Sequence, residues 1–479
     1  MAHWHGRRPL VTMACRIDPP FMARLRRSAL AIAALGVALL LPQPAEVRAA
    51  QPQPRASASA ADPLVRVLLA QVPSLQIRPS AAATGLLLRD GAGRVLERFS
   101  GAVVLQAGVG QGWLQLLQVE PGAGAEGGSE QEQWQARELW LEALPGTEDT
   151  DPGLWFQQRR YRGRLQLRLV PGGVQVVNHL PLETYLASVV GSEMPASWPL
   201  EALRAQAVAA RTYALKARKP AAAFDVQATT ASQVYKGVES ETTSTRAAVD
   251  GTRGLVLTYN NALIDAVFHS SSAGGNTESS GDLWSKQLPY LVSVPDFDDA
   301  SPVRDWRLPL DQARLRQAFP ELGGALGIDV VATTPTGRIS QARVLGPSGQ
   351  LALTGAQLRT RLGLKSTWVR FELAPMAAPN APFAGLQPPP ALQALTLPAP
   401  LAPNAEAVQL VAVGRGFGHG IGMSQWGALA MAQRGQGYAA ILRHYYRGTD
   451  LQPYSVLAGT ATAGRGLSQE VAPVLTVSR

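Results

Sequence analysis

Along the first third of the chain, apolar positions come in short runs separated by glycine-containing turns. Val65-Arg66-Val67-Leu68-Leu69, Gly85-Leu86-Leu87-Leu88 and Ala102-Val103-Val104-Leu105 each read as a strand. Arg164-Leu165-Gln166-Leu167-Arg168-Leu169 alternates strictly, Pro171-Gly172-Gly173 turns, and Val174 to Val177 returns, so Tyr161 to Val177 is expected to be a β-hairpin. The period then changes. Leu182, Tyr185, Leu186, Val189 and Val190 fall on one helical face, and Gly191 is expected to end that helix. A second, alanine-rich helix is expected from about Trp198 to Lys216, with Ser197 as N-cap and Pro199 in the first turn. Val256 to Tyr259 and Ile264 to Phe268 read as strands flanking Asn260-Asn261. Val408 to Val413 reads as another strand, Ser424 as the cap of a helix ended by Gly435, and Tyr438 to Tyr446 as a last helix closed by Gly448. The sum is an α+β fold: a β-rich N-terminal part, then a mixed body with Ala-rich helices packed on antiparallel strands.

Composition divides the chain further. Arg24, Arg26 and Arg27 precede the apolar run Ser28–Leu41, which is followed by prolines and by Val47-Arg48-Ala49-Ala50, a small-x-small pattern. This reads as an export signal, residues 1–50, and the expected location is the periplasm or cell envelope. The run is about 14 residues, short of the roughly 20 that span a bilayer, so membrane association is expected only through this segment, cleaved or retained as an anchor. A linker at 51–62, a β-rich region at 63–160, a core at 161–374, a proline-rich insertion at 375–407, the rest of the core at 408–455 and a tail at 456–479 follow. Nine of the 36 prolines lie between 375 and 403, and residues 121–132 read as an exposed loop. Seven arginines against two acidic residues give the first 50 positions +5 of the formal +9, leaving +4 for the other 429 residues. No concentrated basic run remains there, so nucleic acid is not an expected partner. The single cysteine, Cys15, precedes the apolar run, so the chain beyond it has no thiol for a disulfide or a zinc site.

Three clusters are denser in functional residue types than packing requires. In Gly191-Ser192-Glu193-Met194-Pro195-Ala196-Ser197-Trp198, a carboxylate sits on a tight connection between two helices, beside apolar Met194 and Trp198. Desolvation there raises the carboxyl pKa and suits a general acid, and Trp198 is placed to stack on a sugar ring; the alternative is a surface glutamate in a turn. Phe268-His269-Ser270-Ser271-Ser272 leaves a strand for a hydroxyl-rich, glycine-rich loop. No Gly-x-Ser-x-Gly elbow accompanies it, so a serine hydrolase is not indicated, and His269 reads equally as a structural histidine. Gly414 to Trp426 carries five glycines in nine residues around Arg415, Phe417 and His419, without the Gly-Lys-Ser/Thr of a phosphate loop. His269, His419 and His444 show no ligand spacing, so no metal and no cofactor are expected.

Taken in order, these clusters resemble the SpoIID/LytB family (stage II sporulation protein D and amidase enhancer). The resemblance runs from about Tyr161 to Leu451. It is carried by Leu182-Glu183-Thr184-Tyr185-Leu186, by Glu193-Met194-Pro195-Ala196-Ser197-Trp198 and by the segment Glu201 to Ala214. Val234-Tyr235-Lys236-Gly237, the His269 loop, Pro289-Tyr290-Leu291, Gly414 to Gly427 and His444-Tyr445-Tyr446 continue it. The resemblance implies a lytic transglycosylase acting on peptidoglycan glycan strands, with Glu193 as its catalytic acid. It makes Trp198, His269, Ser271, Arg415, His419, Ser424 and Gln425 candidates for substrate binding. The alternative it carries is a non-catalytic peptidoglycan-binding enhancer of a cell-wall amidase. Some family members hold zinc through a cysteine in the histidine loop; Ser272 and Ala273 stand there in this chain.

Overall fold

The computed structural model describes residues 62–110, 112–119, 133–147, 151–284, 286–375, 395–396 and 408–457. The expected signal segment, most of the linker, the loop at 121–132, most of the proline-rich insertion and most of the tail lie outside these residues.

Period-2 alternation builds two sheets that share one core. The larger, among the described residues, runs Val226–Gln227, Leu64–Val72, Gly173–Pro181, Arg164–Val170, Glu138–Leu144, Gly85–Asp90, Val95–Ser100. The second runs Arg159–Tyr161, Leu154–Phe156, Ser74–Pro79, Val104–Gly110, Trp113–Val119, Gln133–Ala136. Val65 and Val67, Leu86 and Leu88, Leu139 and Leu141, and Leu165 and Leu167 turn the inner face of the first sheet toward Leu75, Ile77, Leu105, Leu114 and Leu116 of the second. Strands from either side of residue 160 therefore belong to one sheet. The hairpin expected over 161–177 is present, turning at Gly172 and Gly173, both at positive φ.

Eight helices follow among the described residues: α1 (Leu182–Glu193), α2 (Leu200–Ala217), α3 (Thr243–Asp250), the single turn α4 (Ser280–Leu283), α5 (Gln312–Ala318), α6 (Gly355–Leu362), α7 (Gln425–Gln433) and α8 (Tyr438–Tyr445). Alanine dominates the buried positions of α2, which lets α1, α3, α7 and α8 approach it closely. The fold is α+β.

Local expectations fail where tertiary contacts decide. Helix α1 does not stop at Gly191 but runs to Glu193. A Cβ on Gly191 would lie 1.9 Å from the Ser240 carbonyl oxygen, so this glycine serves close approach, not termination. Helix α2 begins at Leu200 with Pro199 at its cap, and Ser197 does not cap it. Asn260 and Asn261 both take left-handed φ and close a hairpin between Leu255–Tyr259 and Ala262–Leu263. The strand expected over 264–268 is confined to Phe268–His269, which pairs in parallel with Met423–Ser424.

A second core lies between residues 305 and 415. Asp305–Leu310, Val408–Arg415 and Val369–Pro375 form one of its sheets; Gly349–Thr354, Ile339–Gly346, Gly327–Thr333 and Leu395–Thr396 form the other. Leu395–Thr396, inside the proline-rich segment, pairs with Gly327 and Ile328. Trp306, Phe319, Ile339, Val344, Leu358 and Phe371 fill the space between them and α5 and α6.

Candidate functional site

Glu193 is the last residue of α1, where the helix leaves carbonyl groups without intrahelical donors and negative charge is disfavoured. Met194 leaves the helix in an extended conformation, and Pro195 to Trp198 make a turn closed by the Trp198 N–H on the Pro195 carbonyl. The carboxyl group is thus set at the junction of two helices. Two donors reach it. The Val234 backbone N–H donates to Oε1 at 2.8 Å, and Gln425 Nε2 donates to Oε2 at 3.2 Å. Gln425 is the first residue of α7, whose N-cap Ser424 accepts from the Gly427 N–H at 3.2 Å. Burial raises the Glu193 pKa above the ordinary carboxylate value, against the opposing pull of Val234, Gln425 and exposed Lys236. Among the described residues no second carboxylate figures among the groups that set it.

Aromatic and amide groups frame this acid. Tyr185, fully buried on α1, donates from its hydroxyl to Gln233 Oε1 at 3.1 Å, and Gln233 in turn donates to the Ala210 carbonyl. Burial holds the Tyr185 phenol well above its usual pKa, with further contributions from Glu193 and Tyr213. Trp198 meets Trp426 edge to face, ring centroids 5.0 Å apart. Both indoles are partly buried; Trp426 directly follows Gln425, and Trp198, five residues after Glu193, reaches the site through Trp426.

The remaining candidates form a second, internal group. His269 is buried at 4% exposure; its Nδ1 lies 3.2 Å from the Ile421 carbonyl and its Nε2 2.8 Å from Ser272 Oγ. Both nitrogens are engaged, with Nδ1 the donor and Nε2 the acceptor. Ser271, fully buried, donates to Asp298 Oδ2. His419 Nε2 donates to the Phe268 carbonyl at 2.9 Å, and its Nδ1 accepts from the Ile421 N–H at 3.0 Å. Burial pushes the pKa of His269 well below the ordinary imidazole value and that of His419 down to about 4, so both rings are neutral near pH 7. Arg415 donates to Asp305 and the Ala273 carbonyl and lies over the Trp368 ring. His269 and Ser271, named as substrate-binding candidates, are buried and hold the loop together. Their polar atoms are taken up inside the protein, and the glycines allow this: a Cβ on Gly418 would lie 2.7 Å from His269 Cβ.

The two groups are nonetheless joined. His269 pairs with Ser424 in the parallel bridge, and Gln425, the next residue, reaches Glu193. Thus Glu193, Trp198, Ser424 and Gln425 are assembled around the start of α7, while His269, Ser271, His419 and Arg415 build the scaffold behind it. Residues not named as site candidates from sequence also belong to the site: Val234 through its N–H, Gln233, Tyr185 and Trp426. Val234, Tyr185 and Trp426 lie in the quoted motifs, but their place beside Glu193 comes only from tertiary contacts. Among the described residues, no group of three His, Cys, Asp or Glu is arranged to hold a metal ion, and no helix is long and apolar enough to cross a membrane.

Comparison with known proteins adds an independent line. The family model described as SpoIID, stage II sporulation protein, matches residues 171–259, which include Glu193 and Val234. The chain is 34% identical over 294 residues to the amidase enhancer of Bacillus subtilis (strain 168), covering 56% of this chain and 40% of that protein. It is 33% identical over 301 residues to the stage II sporulation protein D of Bacillus amyloliquefaciens, covering 57% and 75%, and 32% identical over 300 residues to that of Bacillus subtilis, covering 58% and 76%.

Proposed function

The chain belongs to the SpoIID family, and on that premise we propose that it is an exported protein of the cell wall that cleaves peptidoglycan glycan strands as a lytic transglycosylase, with Glu193 as its single acid and base. One observation carries this reading: a carboxyl group with raised proton affinity, at a helix junction, gripped by two donors and bordered by two tryptophans.

The chemistry needs one carboxyl group. Protonated Glu193 gives its proton to the glycosidic oxygen as the bond from that oxygen to C1 breaks. The resulting carboxylate then takes the proton of the muramic C6 hydroxyl as that oxygen bonds to C1 of its own ring. The product is a 1,6-anhydro sugar; no water is consumed, and the second carboxylate of ordinary glycosidases has no part to play. The geometry suits both halves. Burial favours the proton before cleavage, and the Val234 and Gln425 donors stabilise the charge that cleavage leaves on Glu193. Trp198 and Trp426 offer apolar ring surface to a saccharide beside that acid.

The similarity to an amidase enhancer supports a second reading, in which the same surface engages glycan and stimulates a cell-wall amidase without cutting. Incubating purified wild type and Glu193→Gln with peptide-free glycan strands separates the two. Anhydro-ended products from wild type alone support the transglycosylase; binding by both forms without anhydro products supports the enhancer.

A further inference from the structure

Behind the start of α7 lies a second buried acid. Asp296 is 7% exposed and directly follows Pro295, which makes an antiparallel bridge with Asn276. Its Oδ1 accepts from the Tyr445 hydroxyl at 2.7 Å and from the Phe297 N–H at 2.8 Å. Its Oδ2 is buried without a hydrogen-bond partner. An orphaned carboxylate oxygen in an interior is costly, so a group kept in this state calls for an explanation beyond packing.

The first turn of α7 is wedged between this acid and Glu193. On one side Gln425 donates to Glu193. On the other, Gly427 rests against Asp296 so closely that a Cβ would lie 1.9 Å from Oδ1 and 2.0 Å from the Tyr445 hydroxyl. Between them Ser424 caps the helix by accepting from Gly427, and its hydroxyl lies beside the Asp296 carboxyl, lowering its proton affinity without satisfying Oδ2. One short turn therefore links two acids that nothing in the sequence pairs.

We infer that Asp296 is a positioning residue for Glu193: its carboxyl group fixes the capped first turn of α7, and that turn presents Gln425 to the catalytic acid. The inference rests on the reading of Glu193 as that acid. The charge of ionised Asp296 orients the neighbouring Ser424 hydroxyl so that its lone pairs are left to the Gly427 N–H, and it also favours a helix start. Protonated Asp296 provides neither, and the turn loosens. The titratable groups that act on Asp296 are Asp298 on its own loop and Tyr445 on α8; His444 and Arg434 instead meet its chain neighbours, at the Pro295 carbonyl and the Phe297 ring. Burial first, then Asp298, lifts the Asp296 pKa to about 6, so the change of state falls in a range an envelope protein meets.

Trp426 follows Gln425 and reports on this turn. Tryptophan emission is to be recorded against pH for wild type, Asp296→Asn, Tyr445→Phe and Glu193→Gln, together with anhydro-product formation. Wild type is expected to show a step with a midpoint of about 6. Asp296→Asn is expected to lose that step and Glu193→Gln to keep it. Tyr445→Phe, which removes a donor from the charged form, is expected to move it to higher pH. Asp296→Asn is further expected to slow product formation about 10- to 100-fold with KM little changed. A step that survives in Asp296→Asn, or one that Tyr445→Phe leaves in place, overturns the inference; should Asp296→Asn not fold, Tyr445→Phe decides alone. Absence of product from wild type strikes at the role of Glu193, while the emission arms still judge Asp296.

Discussion

Gln425 donates to the carboxylate of Glu193 across 232 positions of sequence, joining the start of α7 to the end of α1. The bond favours the ionised form of Glu193, whereas burial favours the protonated one. Replacing Gln425 with Leu removes a donor from the charged form alone. The Glu193 pKa is expected to rise further, and product formation to fall about 10-fold. A pH–rate profile whose basic limb moves to higher pH is the check; an unmoved limb argues that the bond has no catalytic role.

Glu193→Gln is expected to leave the fold at least as stable as wild type. The sign follows from linkage. Because the folded-state pKa is raised, the folded protein holds its proton where the unfolded chain has released it, so stability falls as pH rises from the ordinary carboxylate range through the raised value. Glutamine carries no such penalty. Urea unfolding near pH 7 is expected to show a gain on the order of 1 kcal/mol for the variant, and no gain near pH 3.

The Trp198–Trp426 contact offers a separate test of glycan recognition. Alanine at either position is expected to weaken binding to glycan strands about 10-fold, which corresponds to roughly 1.4 kcal/mol. Sedimentation with purified peptidoglycan measures it. Equal binding by both variants and wild type would place the sugar elsewhere.

Arg211 and Glu183 make a buried two-pronged pair, with Nε on Oε1 at 2.8 Å and Nη2 on Oε2 at 2.6 Å, tying α2 to the start of α1. Arg211 is fully buried and also donates to the Leu255 and Val249 carbonyls. Arg211→Met strands a carboxylate and is expected to cost about 3–5 kcal/mol by denaturant unfolding. A loss under about 1 kcal/mol would mean that this pair is not what ties α2 to α1.

The elements legible in sequence are those fixed by local chemistry. Alternation over Arg164–Leu169 and the following glycines specify a hairpin wherever they occur, and Ser424 caps α7 because its hydroxyl needs only the next turn. The chain break that isolates Glu193 is only partly local: Pro195 marks it, whereas Gly191, the other expected marker, lies inside α1. Gly191 departs from the expected terminator because a glycine near a helix end has two uses, and the Ser240 carbonyl that decides between them is 49 positions away. Hydroxyls and a histidine on a glycine-rich loop look the same in sequence whether they face outward or, as His269 and Ser271 do, bind Ile421, Ser272 and Asp298. The pairing of Glu193 with Gln425 and Val234 depends on how α1, α7 and the 234 segment pack, which no periodicity encodes.

The most direct test of Glu193 is the identity of the ends left on glycan strands. Purified wild type should convert peptide-free strands to fragments ending in 1,6-anhydromuramic acid, lighter by one water than hydrolysis products by mass spectrometry, and Glu193→Gln should yield none above background. Equal anhydro product from the variant, or none from the wild type, contradicts a transglycosylase that works through this carboxyl group.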